Sequence, residues 1–234
     1  MAQYFTDFSE YTTGVQPSDF TERWDTASVT ATVETVADTT GGKVLEFVNA
    51  GGPAAISWDE IDSDPNRDDV EILTRARKTS GGGSDIRGIL ARAVNTEATR
   101  TGYFTGLSSI DLKLSRYLSG GFNNFADAAF SPSGWAYVKG KFSGASLKVK
   151  AWNGAIGDEP VAWDIETTNS DISAAGWVGF FNFNGSTTEY DILSVGTNGD
   201  VAPTSAVATG PDTPINPSVT SLLATSARLN WEQG

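Results

Sequence analysis

Short runs in which apolar and polar residues alternate occur along most of the chain. The run Val29, Ala31 and Val33 against Thr30, Thr32 and Glu34 is an example. Alternation with a period of two is typical of strands with one buried face, whereas helical periodicity is hardly visible. The predicted strands are residues 28–36, 43–48, 54–58, 69–77, 86–94, 103–107, 110–118, 135–142, 146–152, 161–167, 176–183 and 189–196. Short strands at this spacing predict an all-β, antiparallel two-sheet jelly-roll sandwich.

The pattern changes near residue 200, which predicts three segments. Residues 1–200 form the sandwich domain, and residues 201–217, with four prolines, form an extended linker. Alternation returns in residues 218–234, which are long enough for two extra strands but too short for a domain. Residues from about Ala202 onward are therefore expected to lie outside the core, so that a chain ending at Gly199 still folds.

Composition excludes several kinds of chemistry. The chain has no cysteine and no histidine, which removes disulfides, thiolate nucleophiles, the usual zinc sites and histidine-dependent triads. A net charge of −13 argues against nucleic acid as a partner. No stretch is long and apolar enough for membrane insertion, and the first residues show no signal peptide. Assembly in a host cytoplasm is the expectation.

The ordered motifs in the second half resemble a known family. The segments 135–142, 147–152, 159–163, 176–181 and 190–197 are similar, in this order, to the second half of LamG-like, concanavalin A-like domains, especially those of bacteriophage virion proteins. Residues 7–24 resemble the opening of the same domains. Residues 214–231 are similar to the first two strands of a fibronectin type III domain. The resemblance implies a jelly roll that binds glycan on a virion surface or tail.

The hairpin 135–152 carries the main cationic cluster. With a turn at 143–146, Lys141 opposes Lys148, and Lys139 opposes Lys150, all on one face. Opposed like charges need an anion, which Asp164 and Glu166 of the next strand would supply, or else an acidic partner or an anionic glycan. The candidate ligand-binding residues are Tyr137, Lys139, Lys141, Lys148, Lys150 and Trp152. Cofactors are expected to be absent, with calcium left open.

The acidic segment after Trp58 supports two weaker hypotheses. Glu60 with Asp62 or Asp64 resembles the catalytic strand of laminarinase-type glucanases, but Pro65 and Asn66 interrupt a central strand. Alternate oxygen ligands also resemble the start of a calcium loop, although the glycine and glutamate of that motif are missing. The candidate metal ligands are Asp62, Asp64, Asn66 and Asp68. A solvated acidic turn explains the same residues.

The tryptophans are interpreted mainly as core. Five of them are in phase with apolar neighbours, and Trp152 is the exception, available for stacking on a sugar. The in-phase residues are Trp24, Trp58, Trp135, Trp163 and Trp177.

Together these features predict a non-enzymatic structural or adhesive virion component. It would decorate a capsid or tail, contact other virion proteins or further copies of itself, and bind a cell-surface glycan. The alternatives are a carbohydrate-active enzyme and a calcium-dependent lectin module of a bacterial adhesin.

Overall fold

The computed structural model describes residues 2–25, 29–82, 85–94 and 97–206 of the chain. The strands in this part are β1 Gln3–Thr6, β2 Phe20–Asp25, β3 Val29–Thr35, β4 Lys43–Asn49, β5 Pro53–Trp58, β6 Val70–Ser80, β7 Ile86–Val94, β8 Thr101–Leu107, β9 Asp111–Leu118, β10 Gly121–Ala129, β11 Ala136–Ser143, β12 Ser146–Asn153, β13 Ile165–Thr168, β14 Trp177–Phe183 and β15 Thr187–Thr197. One short α-helix, α1, spans Asp59–Asp62, and two 3-10 helices span Glu97–Thr99 and Ile156–Asp158 in the described residues. Within these ranges, no helix is long and apolar enough to cross a membrane.

The strands form two antiparallel sheets, which confirms the predicted jelly-roll sandwich. The eight-stranded sheet has the order β13-β12-β11-β6-β15-β4-β3, and β1 pairs with the second half of β15. The seven-stranded sheet has the order β10-β9-β8-β7-β14-β5-β2. Hairpins of consecutive strands form the ends of the sheets, whereas the central pairs, such as β6-β15 and β7-β14, join strands that are distant in sequence.

Alternate residues of both sheets point inward and form the main core. Val33, Phe47 and Val138 of the eight-stranded sheet pack with Ile89 and Phe180 of the seven-stranded sheet, and all are fully buried. Each such side chain contributes about 1.5–3 kcal/mol when it is removed from water. The period-2 alternation of the sequence therefore has its physical cause in this layer.

Two smaller apolar clusters lie outside the main core. Each draws its strand residues from one sheet, so each lies on the outer face of that sheet. On the seven-stranded sheet the cluster includes Trp24, Leu90, Phe104, Tyr117 and Phe181. On the eight-stranded sheet it comprises Leu73, Tyr137, Trp152, Ile192 and Ala202. The sandwich thus has three apolar layers instead of one.

The chain just after β15 covers part of the eight-stranded sheet. Ala202 is 1% exposed and packs against the outer cluster of that sheet. The Gln3 amide donates a hydrogen bond to the Val201 carbonyl, and the Ser194 hydroxyl donates one to the Pro203 carbonyl. The first residues of the predicted linker are therefore packed on the sandwich. The rest of the linker and the fibronectin-like segment 218–234 lie outside the described residues and stay predictions.

The strand predictions are wrong in four places. β1, β2 and β10 were not predicted, because they are short or poor in β-branched residues. The predicted strand 161–167 is a strand only at Ile165–Thr168, and Val161 is almost fully exposed. Residues 154–164 instead form a loop across the outer face of the eight-stranded sheet, which we call the strap.

The tryptophan assignments need correction. Trp24 and Trp58 are buried as predicted, whereas Trp135, Trp163 and Trp177 are only half-buried. Each of these three rings lies next to a cation. The guanidinium carbons of Arg75 and Arg77 are 4.8 and 4.5 Å from the centre of the Trp135 ring. The Lys150 ammonium is 4.5 Å from the centre of the Trp163 ring, and the Arg23 guanidinium carbon is 4.5 Å from that of Trp177. Cation–π contact accounts for the position of Trp135 and Trp163. Trp177 in addition packs against the outer cluster of the seven-stranded sheet.

A buried arginine joins three loops at one end of the sandwich. Arg92 is 1% exposed and has a φ of 51°, which is unusual for a residue with a side chain. Its Nε donates to the Asp68 carbonyl at 2.6 Å, and its Nη1 donates to the Gly144 and Ile172 carbonyls at 2.7 and 2.9 Å. One guanidinium thus satisfies backbone acceptors from three separate connections.

Candidate functional site

The cationic hairpin has the predicted register. Lys139 lies opposite Lys150, Lys141 opposite Lys148, and Tyr137 opposite Trp152 in the β11–β12 pair. These residues belong to the outer face of the eight-stranded sheet, because the alternate residues of both strands enter the main core. The sequence therefore placed the six candidate residues on one face, as the structure does.

The strap covers much of this face. Lys139 and Lys150 are each 5% exposed, and Glu159 of the strap accepts hydrogen bonds from both ammonium groups, at 3.0 and 2.7 Å. Glu71 of β6 lies 2.8 Å from Lys139. Burial disfavours the charge of Glu159, but the hydrogen bonds and charges of Lys150 and Lys139 outweigh it and lower its pKa. Internal carboxylates therefore neutralise the two lysines for which an external anion was considered.

The outer lysine pair remains accessible. Lys148 is paired with Glu166 at 2.6 Å, as predicted for the following strand, and both side chains face solvent. Asp164, the second predicted acidic partner, instead accepts a hydrogen bond from the Ala151 backbone. Lys141 contacts Glu71 at 3.4 Å and stays about one third exposed. Ligand binding by this pair stays a prediction.

The proposed aromatic platform of the hairpin is buried. The rings of Tyr137 and Trp152 stack with centres 4.9 Å apart, and both residues lie under Ala202 and next to Ile192 in the outer cluster. The Trp152 indole donates to the Ala155 carbonyl of the strap at 3.0 Å. The expectation that Trp152 is free for stacking on a sugar is wrong, because the strap and the segment after β15 cover it.

The candidate metal ligands point to different partners. Asp62 binds Arg23 at 2.7 Å, and Asp64 accepts hydrogen bonds from the Thr197 hydroxyl at 2.6 Å and the Asn66 backbone at 2.8 Å. The Asn66 side-chain amide also points to Asp64, and the Asp68 backbone carbonyl accepts from Arg92. Across the described ranges, no group of three or more carboxylates is arranged to hold a metal ion. Calcium binding stays a prediction.

Of the carboxylates compared with a glucanase strand, Glu60 and Asp62 lie on α1 and Asp64 follows it. Burial raises the pKa of Glu60, and the nearby charges of Asp19 and Glu10 add to this effect. Arg23 pairs with Asp59 at 3.0 Å as well as with Asp62. A helical turn does not present alternate residues on one face as a strand does, so this segment lacks the geometry on which the comparison depended.

The outer face of the seven-stranded sheet is the open aromatic surface of the molecule. The Phe122 and Phe183 rings are nearly parallel, with centres 6.2 Å apart, although β10 and β14 are four places apart in the sheet. Four strand spacings of a flat sheet would separate their backbones by about 19 Å. The sheet must therefore curl towards this side, and we call it the concave face.

Further rings form the floor of the concave face. Phe104 and Phe181 stack at 4.1 Å, and Tyr117 lies 5.5 Å from Phe104. Phe122 stands on this floor, 5.9 Å from Phe104 and 5.6 Å from Tyr117, and remains 49% exposed. Phe183 is half-buried beside it. An exposed ring supported by buried rings is a rigid, accessible apolar surface.

Polar side chains continue the concave face along β9 and β10. Asn124 pairs in register with Ser115, and Asp127 pairs with Lys113. The Ser115 hydroxyl donates to the Asn124 side chain at 2.8 Å, and the Lys113 ammonium donates to Asp111 at 3.2 Å. Asn124 and Asp127 are exposed. An aromatic ring beside amide, carboxylate and ammonium groups is the mixture that specific small-ligand sites use.

The concave face was not identified from the sequence, although one signal was present. In β14, Val178 and Phe180 point into the core, while Phe181 and Phe183 point outward. Large apolar residues on both faces of one strand indicate two apolar layers. Phe122 gave no comparable signal, because β10 was not predicted.

Comparisons with known proteins bear on the fold. No family model and no curated protein matches the sequence. A carbohydrate-binding module of family 66 from Bacillus subtilis is 16% identical, with a TM-score of 0.51, covering 70% of this chain and 92% of the module. A protein of unknown function from Shewanella oneidensis has a TM-score of 0.59 at 11% identity, with 82% and 84% covered.

An enzyme family shares the same architecture. A family 16 glycoside hydrolase from Bacteroides ovatus, in complex with a mixed-linkage glucan product, has a TM-score of 0.54 at 8% identity, covering 82% of this chain and 99% of the hydrolase. Identities this low show the fold and nothing more. The chain has the jelly-roll sandwich architecture of carbohydrate-binding modules and family 16 hydrolases, consistent with the concanavalin A-like resemblance of its sequence.

Proposed function

We propose that this chain is a non-enzymatic adhesive module that binds glycan on its concave face. The observation that carries the proposal is Phe122, a half-exposed ring held on a floor of buried aromatic rings. Such a ring can stack on the apolar face of a sugar, while Asn124 and Asp127 beside it can bond hydroxyl groups. Neighbours of the same fold include a carbohydrate-binding module and a hydrolase bound to a glucan product, which supports this ligand class.

The lack of catalysis is part of the proposal. A retaining glycosidase places two carboxyl groups about 5–5.5 Å apart across the scissile bond. By strand alternation, the middle strands of the concave face, β7 and β14, point apolar residues and glycine outward: Ile86, Gly88, Leu90, Trp177, Gly179, Phe181 and Phe183. We expect no hydrolysis of mixed-linkage glucan, and no change in that result for Glu60→Gln. If the wild type released reducing sugar and Glu60→Gln did not, the proposed lack of catalysis would be contradicted.

The virion role belongs to the proposal as well, with support from the sequence resemblance to phage virion domains. In this role the chain decorates a capsid or tail, contacts other virion proteins, and presents the concave face to a cell-surface glycan. Mass spectrometry and immunogold labelling of purified particles test it. Absence of the protein from particles that contain the other structural proteins would contradict it.

Glycan binding is tested with Phe122 variants. A polysaccharide array identifies the preferred glycan, and calorimetry with its oligosaccharide measures affinity. We expect Phe122→Ala to weaken binding about tenfold, because aromatic stacking and the apolar area are both lost. Phe122→Tyr keeps the ring and should bind like the wild type.

Val161→Ala is the matched control, because Val161 is an almost fully exposed apolar residue on the strap, away from the concave face. Unfolding curves of all three variants exclude loss of fold as the cause. Equal affinities of Phe122→Ala and the wild type would refute the location of the site, and no binding to any array glycan would refute the function.

A further inference from the structure

A cationic pocket opens at one end of the sandwich. It is lined by Lys78, Arg87, Ser109, Pro132 and Gly134 and has a volume of about 180 Å³. One water molecule occupies about 30 Å³ in the liquid, so the pocket has room for several waters or for an anion with three or four oxygens. The chain as a whole carries a net charge of −13, so cations gathered in one pocket need a local explanation.

The positive charge of the pocket exceeds its negative charge. The Lys78 ammonium lies 3.1 Å from Asp85, and the Arg87 guanidinium lies 3.9 Å from the other oxygen of the same carboxylate. Asp85 is fully buried. Among the described ion pairs, it is the one acidic partner of both Lys78 and Arg87. One positive charge is left for a ligand.

The guanidinium is also poorly satisfied as a hydrogen-bond donor. Arg87 is 3% exposed, and its Nε is buried with no hydrogen-bond partner among the described residues, as is Oδ2 of the neighbouring Asp85. Its Nη1 makes a long bond of 3.3 Å to the Leu107 carbonyl. Burial lowers the pKa of Arg87, which the charge of Asp85 opposes. A buried donor without an acceptor is costly, and a carboxylate or sulfate matches the planar fork of arginine.

The pocket lies at the end of β7 at which the aromatic floor of the concave face also ends. Ile86, the residue before Arg87, belongs to the concave-face cluster and pairs in register with Phe183. Because successive residues of a strand point to opposite faces, the Arg87 side chain lies on the inner side of the sheet. Ile86 is the first residue of β7 and Phe183 the last of β14, so an acidic group would reach the pocket around this end of the two strands.

We propose that this pocket binds the carboxylate or sulfate group of an acidic glycan whose sugar ring lies on the concave face. The identity of the glycan rests on the proposed function, but anion binding by Lys78 and Arg87 does not. Arg87 supplies a planar, desolvated donor, Lys78 supplies a second positive charge, and Asp85 holds both in place. Neutral glycans would use the aromatic face without the pocket.

Anion binding is tested with sodium sulfate and sodium acetate, titrated into the full chain at constant ionic strength and followed by NMR. We expect saturable shifts at the backbone amides of 78, 87 and 109. Lys78→Gln should weaken sulfate binding about tenfold, because one charge-assisted contact is lost, and Lys78→Arg should retain it. Lys148→Gln is the control, since Lys148 is also a partly exposed, paired lysine, on β12 of the same sheet and outside the pocket lining.

The pocket and the concave face are then separated with glycans. Oligogalacturonate tests the carboxylate source, a sulfated galactan oligosaccharide tests the sulfate source, and the matching neutral galactan lacks an anion. Phe122→Ala should weaken the binding of every oligosaccharide that the wild type binds but leave the binding of the sulfate ion unchanged. Lys78→Gln should weaken the binding of the acidic oligosaccharides only. Linear, non-saturable shifts with both ions, or equal loss of sulfate binding in Lys148→Gln, would overturn the anion site. Sulfate binding without any preference for acidic glycans would overturn the glycan assignment.

Discussion

Replacing Lys139 by methionine tests whether the charged hairpin face is an internal network or a binding surface. The ammonium lies 2.8 Å from Glu71 and 3.0 Å from Glu159, and all but 5% of the residue is buried. At 2.8 Å and an effective dielectric constant of about 20, one such attraction is about 6 kcal/mol. Desolvation of the ammonium, which methionine does not suffer, cancels part of it.

The net effect follows from what the substitution leaves behind. Without Lys139, the buried Glu71 keeps Lys141 at 3.4 Å and the Ala202 backbone amide at 3.4 Å. Removing one partner of a buried ion pair costs about 3–5 kcal/mol, so we expect Lys139→Met to lower the free energy of unfolding by about that amount. The double variant Lys139→Met with Glu71→Gln removes the uncompensated charge and should regain at least about 1 kcal/mol.

Urea denaturation followed by tryptophan fluorescence measures these differences, with unchanged m-values as the check on two-state behaviour. Lys148→Met is the control, because the exposed Lys148–Glu166 pair should contribute about 0–1 kcal/mol. If Lys139→Met costs no more than Lys148→Met, the network is not stabilising and the reasoning fails. Loss of glycan binding at unchanged stability would instead restore the hairpin face as a ligand site.

Three further predictions use the same denaturation measurement. The pKa of Glu159 is lower in the folded protein than its unfolded value of 4.5, so the stability that its charge contributes is present above pH 4.5 and is lost as pH falls through the folded pKa. The difference in the free energy of unfolding between the wild type and Glu159→Gln should therefore shrink below pH 4.5. Arg92→Met should cost about 3 kcal/mol or more, because three backbone carbonyls lose a charged donor, and a cost below about 1 kcal/mol would contradict this. A chain ending at Gly199 should be about 2 kcal/mol less stable than one ending at residue 206, because it lacks the buried Ala202 and the hydrogen bonds to Val201 and Pro203. Equal stability of the two chains would show that this segment is not part of the fold.

The sheets and much of the register could be predicted from the sequence. In the β11–β12 hairpin, strict alternation and a short turn leave one pairing that keeps Val138 and Val149 in the core, and this pairing sets Lys139 opposite Lys150. β10 could not be predicted, because its asparagine, alanine and aspartate residues are poor strand formers. Pairing with β9, a tertiary effect, outweighs that local preference.

The candidate site could be predicted only in part, for a related reason. Alternation shows which residues share a face, but not which loop crosses it. Val161 and Trp163 alternate like strand residues, yet they belong to the strap, and Glu159 on the same loop neutralises Lys139 and Lys150. The concave face depends on sheet curvature, which brings β10 close to β14 and has no local signature in the sequence.

The two outer faces of the sandwich differ in how their aromatic residues are used. Trp152 is covered by the strap, and its indole hydrogen bond is satisfied by Ala155, so nothing about it requires a ligand. Phe122 packs on Phe104 and Tyr117 and remains 49% exposed, on a strand that also presents the exposed polar residues Asn124 and Asp127. The rings under Phe122 are already packed, so a sugar that stacks on Phe122 restricts little side-chain motion. Less conformational entropy is lost on binding, and more of the contact energy remains as affinity. An open, rigid ring of this kind is a better basis for adhesion than the more strongly charged but internally neutralised face behind it.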